Sequence, residues 1–148
     1  MAKVAFDIDT PLPPEKVTAM FLDFSDKRPE TWPGLWAGAY EIYSAGDTSA
    51  EIREGNKRPR IWARERYDWS TPGRIRWEVV ESNFSRPGSH LEAYIKPGAN
   101  GGTHVHVDWE RWATSFVGRV ALGLIVLTRG APVKASMVAA FKKALASR

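Results

Sequence analysis

The chain has 148 residues, of which 43% are apolar and 26% charged, with a net charge of +4 and a pI near 9.5. This length and balance fit one folded domain over residues 1–148, burying about two-thirds of its unfolded surface, and exclude an extended disordered chain. Cysteine is absent, which excludes disulfides and thiolate metal sites. The Lys and Arg residues are mixed with acids and form no basic block or stacking motif, so nucleic acid is not an expected partner.

The first segment, residues 3–9, alternates as a strand, with Val4, Phe6 and Ile8 opposing Ala5, Asp7 and Asp9. Its acids stand where a signal peptide would need an apolar stretch, so the expectation is a cytoplasmic protein. Prolines at 11, 13 and 14 stop the strand, and the pair Pro13-Pro14 can open a helix. That helix is predicted from Pro14 to Asp23, with Val17, Met20, Phe21 and Phe24 at helical spacing. A short turn of helix is predicted over Asp26–Thr31, before Trp32-Pro33-Gly34-Leu35-Trp36 breaks it as a stiff aromatic loop.

From there to Trp112, turn signals divide the chain into six strands. They are Ala45-Gly46-Asp47, Gly55-Asn56-Lys57, Thr71-Pro72-Gly73, Arg86-Pro87-Gly88 and the glycine-rich run Gly98–Gly102. The hairpin around Thr71-Pro72-Gly73 specifies its own register. With Trp69 opposite Ile75, Tyr67 faces Trp77, Glu65 faces Val79 and Ala63 faces Glu81, while the reverse face sets Asp68 against Arg76 and Arg66 against Glu78. Opposite charges directly across an antiparallel pair are favourable, so this register puts a charge ladder outside and an aromatic face inside. Glu65 then stands on the apolar face. In the last hairpin, matching apolar faces require an even pairing sum, such as Ile95 opposite Val105, which sends His104, His106, Asp108 and Glu110 outward.

After Trp112 the period becomes helical, from about Thr114 to Ser147. Phe116, Val120, Leu124 and Leu127 form one stripe, and Val133, Met137, Phe141 and Ala144 continue it beyond Gly130-Ala131-Pro132, where a kink or short break is predicted near Arg129. The uncharged stretch Val120–Thr128 is far shorter than the roughly 20 residues that span a bilayer, so no transmembrane segment is expected.

The order of strand, two helices, six-stranded meander and long helix resembles the helix-grip fold. In detail the chain resembles the START-like (SRPBCC) superfamily related to the birch pollen allergen, in its polyketide cyclase/dehydrase and lipid-transport branch. Pro13-Pro14-Glu15-Lys16-Val17, Trp32-Pro33-Gly34, Glu65–Trp69 with Arg74–Trp77, and Gly101-Gly102-Thr103 carry the resemblance. It implies an α+β domain in which a curved seven-stranded antiparallel sheet wraps a long C-terminal helix around an elongated apolar cavity. It does not imply one reaction.

Glu65, among Tyr67, Trp77 and Val79, is the sharpest candidate for chemistry: a buried carboxyl resists ionisation and can act as an acid or anchor a ligand hydroxyl. The plainer alternative is that it pairs with an arginine at the sheet edge or reaches solvent. Glu81 is a weaker candidate, close to water at a strand end. The expected cavity lining is Trp32, Trp36, Glu65, Tyr67, Trp77, Val79, Leu91, Ala93, Val105, Val107 and Trp109, with Phe116, Val120 and Leu124 as the opposite wall and Gly123 leaving room beside them. Trp62 and Trp112 point outward by parity. His104 and His106 share a face with Asp108, but His90 falls opposite Glu110, roughly 10 to 13 Å away. Zinc needs its ligands within about 2.3 Å, so neither a metal nor another cofactor is expected. No serine sits in a nucleophile elbow.

The leading expectation is a binder, sequestering or transporting a small hydrophobic molecule such as a lipid, polyketide or aromatic metabolite. One alternative is a polyketide aromatase/cyclase or dehydratase using Glu65 as acid or base. Another is a protein- or membrane-surface interaction module, with Trp32 and Val120–Leu127 exposed to a partner or a bilayer.

Overall fold

The computed structural model describes residues 1–147. Its elements run β1 (Ala2–Thr10), α1 (Pro14–Phe21), α2 (Arg28–Thr31), a short 3-10 turn, β2 (Glu41–Ala45), β3 (Ser49–Asn56), β4 (Ile61–Asp68), β5 (Arg74–Ser82), β6 (His90–Pro97), a second 3-10 turn, β7 (Thr103–Arg111), α3 (Phe116–Leu127) and α4 (Ala131–Ala146). The seven strands form one antiparallel sheet in the order β1-β7-β6-β5-β4-β3-β2. The turn signals at Thr71-Pro72-Gly73, Arg86-Pro87-Gly88 and Gly98–Gly102 fall between strands, whereas Ala45 ends β2 and Gly55 and Asn56 are still paired in β3. The helices cover the concave face, where α1 packs over β6 and α3 and α4 pack over β1.

Alternation decides which side chains reach the core. Val4, Phe6 and Ile8 of β1 pair with Trp109, Val107 and Val105 of β7, and all six are buried. The hairpin register matches the sequence expectation at Glu65/Val79, Arg66/Glu78, Tyr67/Trp77 and Asp68/Arg76, as does Ile95/Val105 in the last hairpin. Two details differ. A bulge between Arg64 and Glu65 sets Ala63 opposite Ser82 and moves Glu81, which is exposed, opposite Arg64. The outer charges also choose lateral partners: Arg66 bonds Glu51 of β3 at 3.2 Å, and Arg76 bonds Glu92 of β6 and Glu78 of its own strand.

Of the kink or short break expected near Arg129, the C-terminal helix has the break, between Leu127 and Ala131. Arg129 (φ 56°) and Gly130 (φ 79°) both take the left-handed conformation, Pro132 starts the next helix, and α3 and α4 meet at 76°. Ser115 caps α3 by accepting a hydrogen bond from the Gly118 amide at 3.0 Å. Gly118 lies so close to the Phe84 carbonyl that a Cβ would sit 2.5 Å from it, and this contact turns Gly118, Leu122 and Ile125 inward.

This rotation corrects the expected opposite wall. Phe116, Val120 and Leu124 are 79%, 50% and 56% exposed on the outer side of α3, and Gly123 faces open space. The stripe drawn through them assumed that α3 and α4 continue one another, which the bend prevents. No single helix among the described residues is long and apolar enough to cross a membrane.

Candidate functional site

A cavity of about 300 Å³ lies between the concave sheet and the helices. Tyr67, Trp77, Leu91 and Trp109 form its floor, Phe21, Trp32 and Leu35 one side, and Ile125, Val133 and Met137 the roof. The aromatic floor follows from the strand register: Tyr67 and Trp77 are cross-strand partners whose rings stack at 4.9 Å, and Phe21 reaches Trp77 from α1 at 5.9 Å. Trp32 is pinned by its indole N–H, which donates to the Met20 carbonyl at 3.2 Å.

Five of the expected lining residues therefore border this space: Trp32, Tyr67, Trp77, Leu91 and Trp109. Val79, Ala93, Val105 and Val107 are buried on the same face as part of the hydrophobic core but do not border the cavity. Trp36 lies outside the cavity, partly exposed beneath Arg60, whose guanidinium carbon is 5.1 Å from its ring. Phe116, Val120 and Leu124 face away from it.

Glu65 points inward as its register requires and is only 3% exposed. It does not border the cavity directly, because Arg111 stands between. The Arg111 guanidinium donates to Glu65 Oε1 at 3.1 Å and to Ser85 Oγ at 3.2 Å, and lies 5.2 Å and 5.5 Å from the Phe84 and Trp109 rings. Glu65 Oε2 has no hydrogen-bond partner among the described residues. Burial pushes the Glu65 carboxyl up to about 7 against the opposing pull of Arg111. The sequence allowed an arginine partner at the sheet edge or access to solvent; Glu65 has an arginine partner, but it comes from the end of the inner strand β7 and the pair is buried.

A second buried polar cluster closes another part of the wall. Arg28 of α2, 3% exposed, donates to Glu54 Oε1, to the Phe21 and Asp23 carbonyls at 2.8 Å and 3.0 Å, and to Tyr67 Oη at 3.1 Å. The Tyr67 hydroxyl in turn donates to Glu54 Oε2 at 2.7 Å. Burial opposes the Arg28 charge, but the Glu54 carboxylate and Tyr67 outweigh it and hold the guanidinium more firmly protonated than usual. Burial, and then the neighbouring Glu54 charge, raise the Tyr67 phenol well above its ordinary value. Tyr67 therefore stays neutral, as a donor already committed to Glu54.

Sequence reasoning missed Arg28, Glu54 and Arg111. Arg111 continues the inward alternation of Val105, Val107 and Trp109, and Glu54 shares a face with Ala50 and Ile52, so parity could have found both. The convex face holds the histidines. His104 and His106 both contact Asp7 Oδ1 at 2.9 Å, and His90 lies 3.7 Å from Glu110. Among the described residues no group of His, Asp and Glu is arranged to hold a metal ion.

A curved seven-stranded antiparallel sheet with short helices after its first strand and a helical C-terminal segment packed on it is the START-like helix-grip fold, and this chain has it. No family model matches the chain, and no curated protein matches it in sequence. Among solved structures it is similar to a Thermus thermophilus protein, with a TM-score of 0.75 at 17% identity over 95% of this chain and 94% of that one. It is similar to a START superfamily protein from Mycobacterium smegmatis (TM-score 0.67, 12% identity, 90% and 97% of the two chains). It is also similar to the Zhui aromatase/cyclase from a Streptomyces species (TM-score 0.70, 13% identity, 96% and 92%). At these identities the likeness is one of fold.

Proposed function

We propose that the protein is a cytoplasmic binder acting as one START-like domain over residues 1–148, which sequesters or transports a small hydrophobic molecule in the cavity beneath α3 and α4. The observation that carries this reading is the cavity itself: about 300 Å³, walled mainly by aromatic and aliphatic side chains, with Arg28, Glu54, Tyr67 and Arg111 as convergent polar groups. Its volume is at the low end for ligand pockets, which favours a compact aromatic or short acyl molecule over a two-chain lipid. Burying roughly 200 Å² of apolar ligand surface would contribute about 5 kcal/mol before the costs of association. Arg111 borders the cavity and Glu65 lies behind it, so a ligand carbonyl or hydroxyl oxygen would meet the guanidinium first.

Native mass spectrometry of freshly purified protein tests this directly, with a bound mass released on unfolding as the expected result. Leu91→Trp places an indole in the cavity and is expected to abolish that retention while circular dichroism still reports a folded chain. Undiminished retention in the folded variant would overturn the cavity as the binding site.

A second reading, an aromatase/cyclase or dehydratase using Glu65 as acid or base, is favoured by one observation. A carboxyl near pKa 7 with an unpartnered oxygen is suited to proton transfer at neutral pH. The similarity to an aromatase/cyclase supports it only at the level of fold. If Glu65→Gln leaves turnover of a polyketide substrate unchanged, the catalytic reading fails while the binding reading stands.

A further inference from the structure

Helix α3 presents its most apolar side to water. At about 100° per residue, Phe116, Leu127, Val120, Leu124 and Val117 fall within roughly 100° of arc. They form an unbroken stripe that is between 50% and 80% exposed. A surface helix ordinarily turns polar residues outward, and one that is apolar all round is ordinarily buried. Here the inward side is already taken by Gly118, Leu122 and Ile125, so the outer stripe lacks a partner among the described residues.

The charges around it indicate the partner's chemistry. From Trp112 to Ser147 the sequence contains no Asp or Glu, while Arg119, Arg129, Lys134, Lys142 and Lys143 are all exposed. Arg119 lies one turn from Phe116 on the flank of the stripe, and Arg129 follows Leu127 by two residues. An apolar helical face bordered by cations and free of acids complements an anionic interface. A two-fold pairing of α3 with a second copy would instead bring these arginines together with no acid from this segment to neutralise them. The helix is about 18 Å long, too short to span a bilayer and long enough to lie along one.

We propose that α3 docks in the interfacial zone of an anionic lipid bilayer, its stripe among the acyl chains and Arg119 and Arg129 at the headgroups. The opposite side of the same helix contributes Ile125 to the cavity roof, so the docked face and the ligand site share one wall. That a bilayer supplies or receives the cavity's ligand rests on the binding function proposed above; the docking itself does not.

The test uses the full chain in flotation assays with phosphatidylcholine vesicles, with and without phosphatidylserine. The wild type is expected to float with the anionic vesicles and to bind neutral ones at least about tenfold more weakly, with the difference shrinking as salt rises. Phe116→Asp combined with Leu127→Asp changes exposed positions only, so the fold should persist by circular dichroism while flotation is lost. Arg119→Glu should weaken binding to anionic vesicles alone. Failure of the folded wild type to float, or flotation indifferent to lipid charge or to the paired aspartates, overturns the proposal. A dimer seen by light scattering and abolished by the same paired substitution would instead make a second copy the occupant, and would overturn it too. None of these failures alters the retained mass in native mass spectrometry, so docking and ligand binding are judged separately.

Discussion

Replacing Glu65 by Gln separates the titration of a buried carboxyl from everything else in the molecule. Burial raises Glu65 from the ordinary 4.5 to about 7. Between those pH values the native state holds a proton that the unfolded chain has released, so wild-type stability falls as pH rises through this window. Below it the group is neutral in both states and costs nothing; above it the native state must ionise a buried acid. At about 1.4 kcal/mol per pH unit, the penalty reaches about 3 kcal/mol. Gln cannot ionise, and its side-chain oxygen can still accept from Arg111. The stability of Glu65→Gln relative to wild type should therefore increase by about 3 kcal/mol from about pH 5 to about pH 8. Urea unfolding followed by the fluorescence of the seven tryptophans measures this at each pH. Parallel pH profiles for the two proteins would refute the reasoning, since they would mean that Glu65 titrates alike in the folded and unfolded chains.

Arg111→Met removes the partner and leaves the buried acid alone, which should cost about 3–5 kcal/mol at pH 8 and clearly less at pH 5, where Glu65 is protonated, by the same urea titrations. Ser115→Ala deletes the cap on α3 and should cost about 1 kcal/mol, seen as a lowered Tm. Gly130→Ala forces a side chain into a φ of 79°, with its Cβ 3.2 Å from Phe6 and Val4. It should lose about 1–2 kcal/mol; an unchanged Tm would mean that the bend does not depend on this residue.

The strands were legible because two independent patterns agreed. Alternation set Tyr67 and Trp77 on one face, while the charges of Arg66, Asp68, Arg76 and Glu78 set the register on the other. The bulge beside Glu65 escaped because one extra residue leaves alternation intact on either side of it. The rotation of α3 was not legible, since it follows from the approach of Gly118 to the Phe84 carbonyl and from two consecutive left-handed residues, neither of which has a periodic signature. The site divides the same way. Its aromatic floor comes from strand parity, whereas Arg28 meets Glu54 across 26 residues of chain, through a packing of helix turn against strand that no local pattern announces.

Among the described residues β1 has a single neighbour in the sheet, and that neighbour is β7, with Ala2 paired to Arg111. During synthesis the first strand is made long before its only ladder partner, and Val4, Phe6 and Ile8 have no strand to pair beside until β7 is complete. Closing a loop of that length must precede the contacts that reward it, so the sheet cannot be finished in the order in which it is made. The N-terminal edge is therefore expected to be the last part of the ladder to acquire amide protection during refolding, and the segment most dependent on a chaperone while the chain is still emerging.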